Sequence, residues 1–226
     1  MHGGRVAGID GCKGGWVGLA LSEAETSAAA GPTIASVLNS LGPVEVVAVD
    51  VPIGLARSGH RAADVAARGL LGPRRSTIFP TPVRAALEAA TLADAIAVSR
   101  AATGVGTSAQ AYALRSRVLE VDAWARAAAV DVREVHPEVS FAVMAGRPLA
   151  SSKKTWRGVH ERLALLAANG IELPEDLGLA GDVAGVDDVV DAAAAAWTAR
   201  RVAAGDAVSH PAPPEDLDGW PAAIWA

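Results

Sequence analysis

"VAGIDGCKGGWVGLAL", residues 6–21, carries one acid, Asp10, at the end of an apolar run, and follows it with Cys12, Lys13 and the glycines 11, 14 and 15. Arg5–Asp10 is rich in small and β-branched residues and reads as a strand. Trp16–Leu21 reads as a second strand, and the five residues Gly11–Gly15 turn the chain back between them. The phosphate cradle GxxxxGK[ST] and the dinucleotide pattern GxGxxG are both absent here, so the glycines read as a hairpin turn. Cys12 is the one cysteine, which rules out an intramolecular disulfide and a zinc site built from cysteines. Lys13 either leans over a substrate phosphate or faces water. What the hairpin presents is a carboxylate.

Outward from the hairpin, Glu25–Gly31 is alanine-rich and is expected to make a poor third strand. Pro32–Leu41 predicts a helix stopped by Gly42-Pro43. "VEVVAVDV", Val44–Val51, is the clearest strand; its almost continuous apolar character predicts burial on both faces, and Pro52 ends it. Arg61–Leu71 is helical, and the prolines of "GPRRSTIFPTP" then exclude a long helix. Thr107–Val130 predicts one long helix and Val132–Val135 another central strand. Further helices are expected over Pro137–Met144, Trp156–Ala168 and Val186–Ala204. The proline-rich segment 206–226 holds two tryptophans and reads as an ordered extended tail packed on the surface. No repeat or low-complexity linker divides the 226 residues, so one α/β domain with helical insertions is expected.

About half of the residues are apolar, many of them alanine, which suits a helix-rich protein. The net charge of −5 excludes a global positive field that would gather nucleic acid, so such contact needs a local basic patch or a bound cation. Met1–Val6 has no apolar leader core and no apolar run approaches the ~20 residues of a membrane span, so a cytoplasmic protein is expected. The zincin helix and the GxSxG elbow are absent. The oligomeric state is open, a homodimer included.

The acids carry the chemistry. Asp10 ends the first strand, Asp50 ends "VEVVAVD", and Asp188 and Asp191 share one face of the last helix. A carboxylate at the end of a buried strand is costly unless it is paired, hydrogen-bonded or on a metal. Several together repel one another unless a divalent cation neutralises them, and hard oxygen ligands suit Mg²⁺ or Mn²⁺. Each acid also has a plainer reading. Asp10 and Asp50 taken singly fit turn or cap positions, and Asp187 and Asp188 fit helix capping. Asp191 resists that explanation, because the alanine-rich helix after it should be buried.

"EVHPEVSF" sets Glu134, His136 and Glu138 around a strand end, where α/β folds place sites. His136 is a candidate general acid/base or metal ligand and Glu138 a further ligand or base; a structural histidine is the alternative. "RSTIFPTPVR" offers Arg75, Ser76, Thr77 and Arg84 to a phosphate, or is a rigid loop with Phe79 buried. "SSKKT" offers Lys153 and Lys154 to a phosphate, or is a solvated turn. Arg61, Asp64 and Arg68 read as ion pairs on a solvated helix face, and Glu120 and Asp122 as exposed acids. Trp16, Trp156 and Trp197 read as core or interface anchors rather than base-stacking platforms.

Asp10 on a hairpin strand, Asp50 on a later central strand and "DxxDA" opening a late helix resemble the ribonuclease H-like fold. The spacing of Asp188, Asp191 and Ala192 is similar to the C-terminal helix of Holliday-junction resolvases. More specifically, "GIDGCKGGW", "VDVPIGL", "RxxDxxAR", "STIFPTPVR", "EVHPEVSF" and "SKKT" resemble the family called domain of unknown function 429, described as predicted nucleases of that fold, over roughly residues 5–200. The resemblance implies a ribonuclease H-like mixed sheet, antiparallel hairpin strands followed by parallel ones, flanked by helices. It implies that "VEVVAVD" lies parallel to the first strand, that Asp10 and Asp50 are adjacent, and that the last helix brings Asp191 over them. The implied activity is a metal-dependent nuclease or phosphodiesterase, with Asp10, Asp50, Asp188 and Asp191 as ligands of Mg²⁺ or Mn²⁺ and a nucleic acid or other phosphodiester as substrate. Two alternatives stand beside it: a non-catalytic nucleic-acid or ligand-binding module, with the acids held by Arg75 or Lys153 instead of metal, and an actin-like or sugar-kinase-like phosphotransferase. The latter architecture normally needs two such lobes, and the chain length supplies one.

Overall fold

The computed structural model describes residues 4–23 and 25–226. In chain order it contains β1 (Val6–Cys12), β2 (Gly15–Leu21), β3 (Thr26–Gly31), α1 (Ile34–Leu41), β4 (Val46–Val49), α2 (Ala62–Leu71) and a 3-10 turn (Gly72–Thr77). Then follow α3 (Arg84–Leu87), α4 (Leu92–Thr103), α5 (Ala109–Ala113), α6 (Arg115–Ala127), β5 (Asp131–Val135) and α7 (Pro137–Ala145). The last elements are α8 (Trp156–Ala168), α9 (Leu179–Val183), α10 (Val186–Ala204), β6 (Ser209–Leu217) and β7 (Trp220–Trp225). The chain divides into two compact units: one holds the chain up to Asp50, Ala129–Val208 and Trp225–Ala226, the other Val51–Ala128 and Ser209–Ile224.

The first unit is a mixed sheet with strands in the order β3-β2-β1-β4-β5. β1, β2 and β3 are antiparallel neighbours, whereas β4 runs parallel to β1 and β5 parallel to β4. The hairpin is tighter than the sequence suggests. Gly11 and Cys12 stay in the ladder opposite Trp16 and Gly15, and Gly14, at φ 85°, lets Lys13-Gly14 close the turn alone. β3 forms despite its alanines, because pairing with β2 along its length overrides a weak propensity.

Two helices cover this sheet, and glycines decide how closely. A Cβ on Gly18 would meet Ile9, Val37 and Leu41, which puts α1 on the Ile9 face. Neighbouring strand residues alternate in direction, so Gly8 looks the other way. A Cβ on Gly8 would stand 2.0 Å from Ala196 N and 2.2 Å from Ala192 O. The backbone of α10 thus rests directly on β1, with Ala192–Ala196 all buried at the contact. Glycine against an alanine helix permits that approach, and Asp10 lies on the same face two residues beyond Gly8.

In the second unit the sequence misjudged its charges. Arg61 is fully buried and Asp64 is 3 % exposed, so this face is not solvated. Arg61 donates to Asp64 Oδ1 and Thr81 Oγ1, each at 3.1 Å, and to the Ile53 carbonyl at 3.0 Å. Asp122 is likewise buried, not exposed. It accepts from Gly54 N–H at 2.9 Å, Arg84 at 2.6 Å and Arg126 at 3.3 Å. Burial pushes the Asp122 carboxyl up, but these donors outweigh it and hold the group below the usual carboxylate range. The stretch 107–130 is two helices, not one: Leu114 N–H turns to Ala111 O at 3.3 Å and breaks the ladder between α5 and α6. The tail is a hairpin, β6 and β7, whose two-residue turn places Asp218 at φ 54° and Gly219 at φ 77°.

Candidate metal centre

Parallel pairing of Ile9 with Val49 sets Asp10 and Asp50 level on adjacent strands, and Asp50 N–H donates to Ile9 O at 3.0 Å. Two residues sharing a level in a parallel pair share a face. That face is the one α10 covers. Close packing on Gly8 brings the first turns of α10 over the strands, and with them Asp191. One oxygen from each of Asp10, Asp50 and Asp191 lies within 4.8 Å of the other two.

Asp10 and Asp191 are buried and Asp50 is half-buried. Burial, then the charges of Asp50 and Asp191, push the Asp10 carboxyl well above its usual range. Burial and then Asp191 push Asp50 up to about 8. Burial raises Asp191 to about 6, although the Lys153 ammonium works against it. Lys153 donates to Asp191 Oδ2. Burial disfavours its charge, yet Asp191, Asp50 and Asp10 together hold its pKa above that of an ordinary lysine.

The donor set suits a hard divalent cation. Oxygens bonded to one ion at about 2.1–2.5 Å stand up to about 4–5 Å apart, which is the spacing found here. Asp191 Oδ1 is buried and has no hydrogen-bond partner among the described residues, an expensive state that a cation would relieve. Burial first, and then the mutual repulsion of the acids, raises these carboxyls, and the Lys153 ammonium offsets only part of that.

Lys153 is held by its surroundings. A Cβ on Gly158 would stand 1.9 Å from Ser152 O, so that glycine lets the loop lie on the start of α8. Arg162, fully buried, donates to Ser151 O at 3.2 Å, to Gly158 O at 2.9 Å and to Glu138. Sequence reasoning passed over Arg162, because an arginine at helical spacing reads as surface. Glu138 thus ties α7 to α8 through Arg162. His136 is the half-buried N-cap residue of α7, and Glu134 is buried on β5.

Asp188 stands apart from the converging oxygens: its Oδ2 accepts from Gly185 N–H at 3.2 Å, a capping contact. Asp187 pairs with Lys154. Lys13 is exposed at the hairpin tip. Arg75, Ser76, Thr77 and Arg84 belong to the second unit. There Arg75 and Ser76 are exposed, Thr77 donates to Arg74 O at 2.9 Å, and Arg84 pairs with Asp122. Phe79 is only half-buried, whereas Ile78, Thr81, Pro82 and Val83 of that loop are buried; Phe79 lines a cavity of ≈ 130 Å³ with His60, Thr81 and Thr107. Trp16 and Trp197 are core residues, but Trp156 is not: it is 81 % exposed.

Fold and cluster together define a mixed α/β protein with a buried carboxylate centre that could hold a metal ion. The chain belongs to the family of proteins of unknown function DUF429, which matches residues 8–216, as its motifs lead one to expect. No curated protein and no solved structure matches it. Among the described residues no helix is long and apolar enough to cross a membrane.

Proposed function

We propose that this protein is a divalent-metal-dependent phosphodiesterase, and specifically a nuclease, in which Asp10, Asp50 and Asp191 hold Mg²⁺ or Mn²⁺ on a ribonuclease H-like sheet. The antiparallel β1–β3 followed by parallel β4 and β5 supports the fold assignment. The observation that carries the activity is the buried Asp191 Oδ1, which has no hydrogen-bond partner among the described residues, beside two further carboxylates. A divalent ion bound there supplies a water of lowered pKa and offsets charge on a leaving oxygen. The chain contributes rigidity and counter-charge. β1 and β4 fix Asp10 and Asp50, α10 presents Asp191, and the Arg162–Glu138 pair anchors the loop of Lys153. Lys153, whose side chain is 34 % exposed, is free to trade Asp191 for a substrate phosphate at the mouth of the site.

The test is cleavage of single-stranded, duplex and branched DNA and RNA with Mg²⁺ or Mn²⁺ against EDTA. Cleavage that needs the ion and disappears in Asp10→Asn is expected. An inactive wild-type protein across that panel counts against the proposal. A second reading has its own support, since Lys153 already sits on Asp191. On that reading the ammonium permanently neutralises a non-catalytic ligand-binding module, and calorimetric titration with Mn²⁺ would show no binding.

A further inference from the structure

Trp156 opens α8 directly after the Lys153 loop, and its exposure of 81 % has no counterpart in the buried Trp16 and Trp197. A tryptophan left in water forfeits a large hydrophobic gain, which a ligand stacked on it would recover. The indole is braced rather than loose. The His160 ring, one turn along α8, packs against it with centroids 4.0 Å apart at a 56° tilt. Its neighbours Lys154, Thr155, Arg157 and His160 are all exposed. Lys154 is paired with Asp187, whereas Arg157 has no ion-pair partner among the described residues. Lysine is depleted at the cores of protein interfaces, so Lys154 beside the indole suits an anionic partner better than an apolar one. Aromatic and basic side chains alternating on a surface suit an unpaired base with its phosphate.

We propose that Trp156, braced by His160 and flanked by Lys154 and Arg157, is a stacking platform for an unpaired base of single-stranded nucleic acid whose backbone leads to the Asp10–Asp50–Asp191 cluster. Trp156 is three positions along the chain from Lys153, a span of at most about 11 Å, comparable to one or two nucleotides. The direction of the backbone rests on the phosphodiesterase reading. The stacking itself does not.

The test is fluorescence anisotropy of labelled (dT)₁₂ with the full chain in low salt and EDTA, where no cleavage occurs. The wild type is expected to bind, Trp156→Ala to bind about tenfold or more weakly, and Trp156→Phe to retain most of the affinity. Exposure of the side chain makes misfolding of these variants a minor concern, and circular dichroism checks it. Equal affinity for wild type and Trp156→Ala, or no binding by the wild type, overturns the platform. So does concentration-dependent self-association abolished by Trp156→Ala, which would assign the patch to a protein interface. Trp156-dependent binding without metal-dependent cleavage keeps the platform and sinks the phosphodiesterase; cleavage with Trp156-independent binding does the reverse.

Discussion

Asp50 is pushed up to about 8, first by burial and then by Asp191, against about 4 for aspartate in an unfolded chain. Between those values the folded protein retains a proton that the unfolded chain has released. Stability of the metal-free protein therefore falls as pH rises from about 4 to about 8, and is fully retained only below the unfolded value. Urea denaturation in EDTA across that window is expected to show the fall. Asp50→Asn should reduce it, with a remainder because Asp10 and Asp191 are shifted the same way. A flat wild-type profile would argue against buried, uncompensated acids. Lys153 makes a second prediction. Its ammonium occupies Asp191 and must be displaced by an incoming ion. Lys153→Met is expected to bind Mn²⁺ more tightly by calorimetry, whereas unchanged or weaker binding would show that the lysine does not compete. Asp10, Asp50 and Asp191 were legible because an acid closing or entering an apolar segment advertises its own burial. Arg162, Asp64 and Asp122 were not, since charge at helical spacing looks the same whether water or a buried partner meets it.

The decisive contact between elements is α10 on β1 at Gly8. Any Cβ there meets helix backbone, at 2.0 Å from Ala196 N, and backbone cannot swing aside as a side chain can. Gly8→Ala is expected to cost about 3 kcal/mol or more in urea denaturation and to weaken Mn²⁺ binding, because lifting α10 separates Asp191 from Asp10. Gly69→Ala is the contrasting case: it sits exposed in α2 with nothing within 4 Å of an added Cβ. That change should stabilise by up to ~1 kcal/mol and leave metal binding alone. If both variants behave alike, the close approach at Gly8 is not what builds the site. At this scale β1, β2 and β4 could be read from apolar runs bounded by turns. Helix α4 is capped by Thr91, which accepts from Asp94 N–H, but its alanines show too little periodicity to announce it. The β6–β7 hairpin held a clear signal in Asp218-Gly219, obscured by Pro211, Pro213 and Pro214, which argue against a strand.

For the whole molecule, charge sets what kind of nucleic-acid contact can exist. The chain carries −5 overall, so its long-range field repels a polyanion rather than steering it. Near the proposed platform the exposed cations are Lys154 and Arg157, and Lys154 already spends part of its charge on Asp187. Such a surface neutralises about two phosphates. Each phosphate neutralised on a single strand adds about 0.7 to the slope of log affinity against log salt concentration. Binding of (dT)₁₂ in EDTA is therefore expected to weaken with a slope of magnitude about 1 to 2, shallow for a nucleic-acid-binding protein. Stacking is insensitive to salt, so Trp156→Ala should lower the affinity at every salt concentration and leave that slope unchanged. Arg157→Gln should reduce it by roughly 0.7. A slope of about 4 or steeper, measured between 50 and 200 mM salt, would require an extended basic track. That result would move the binding surface away from Trp156.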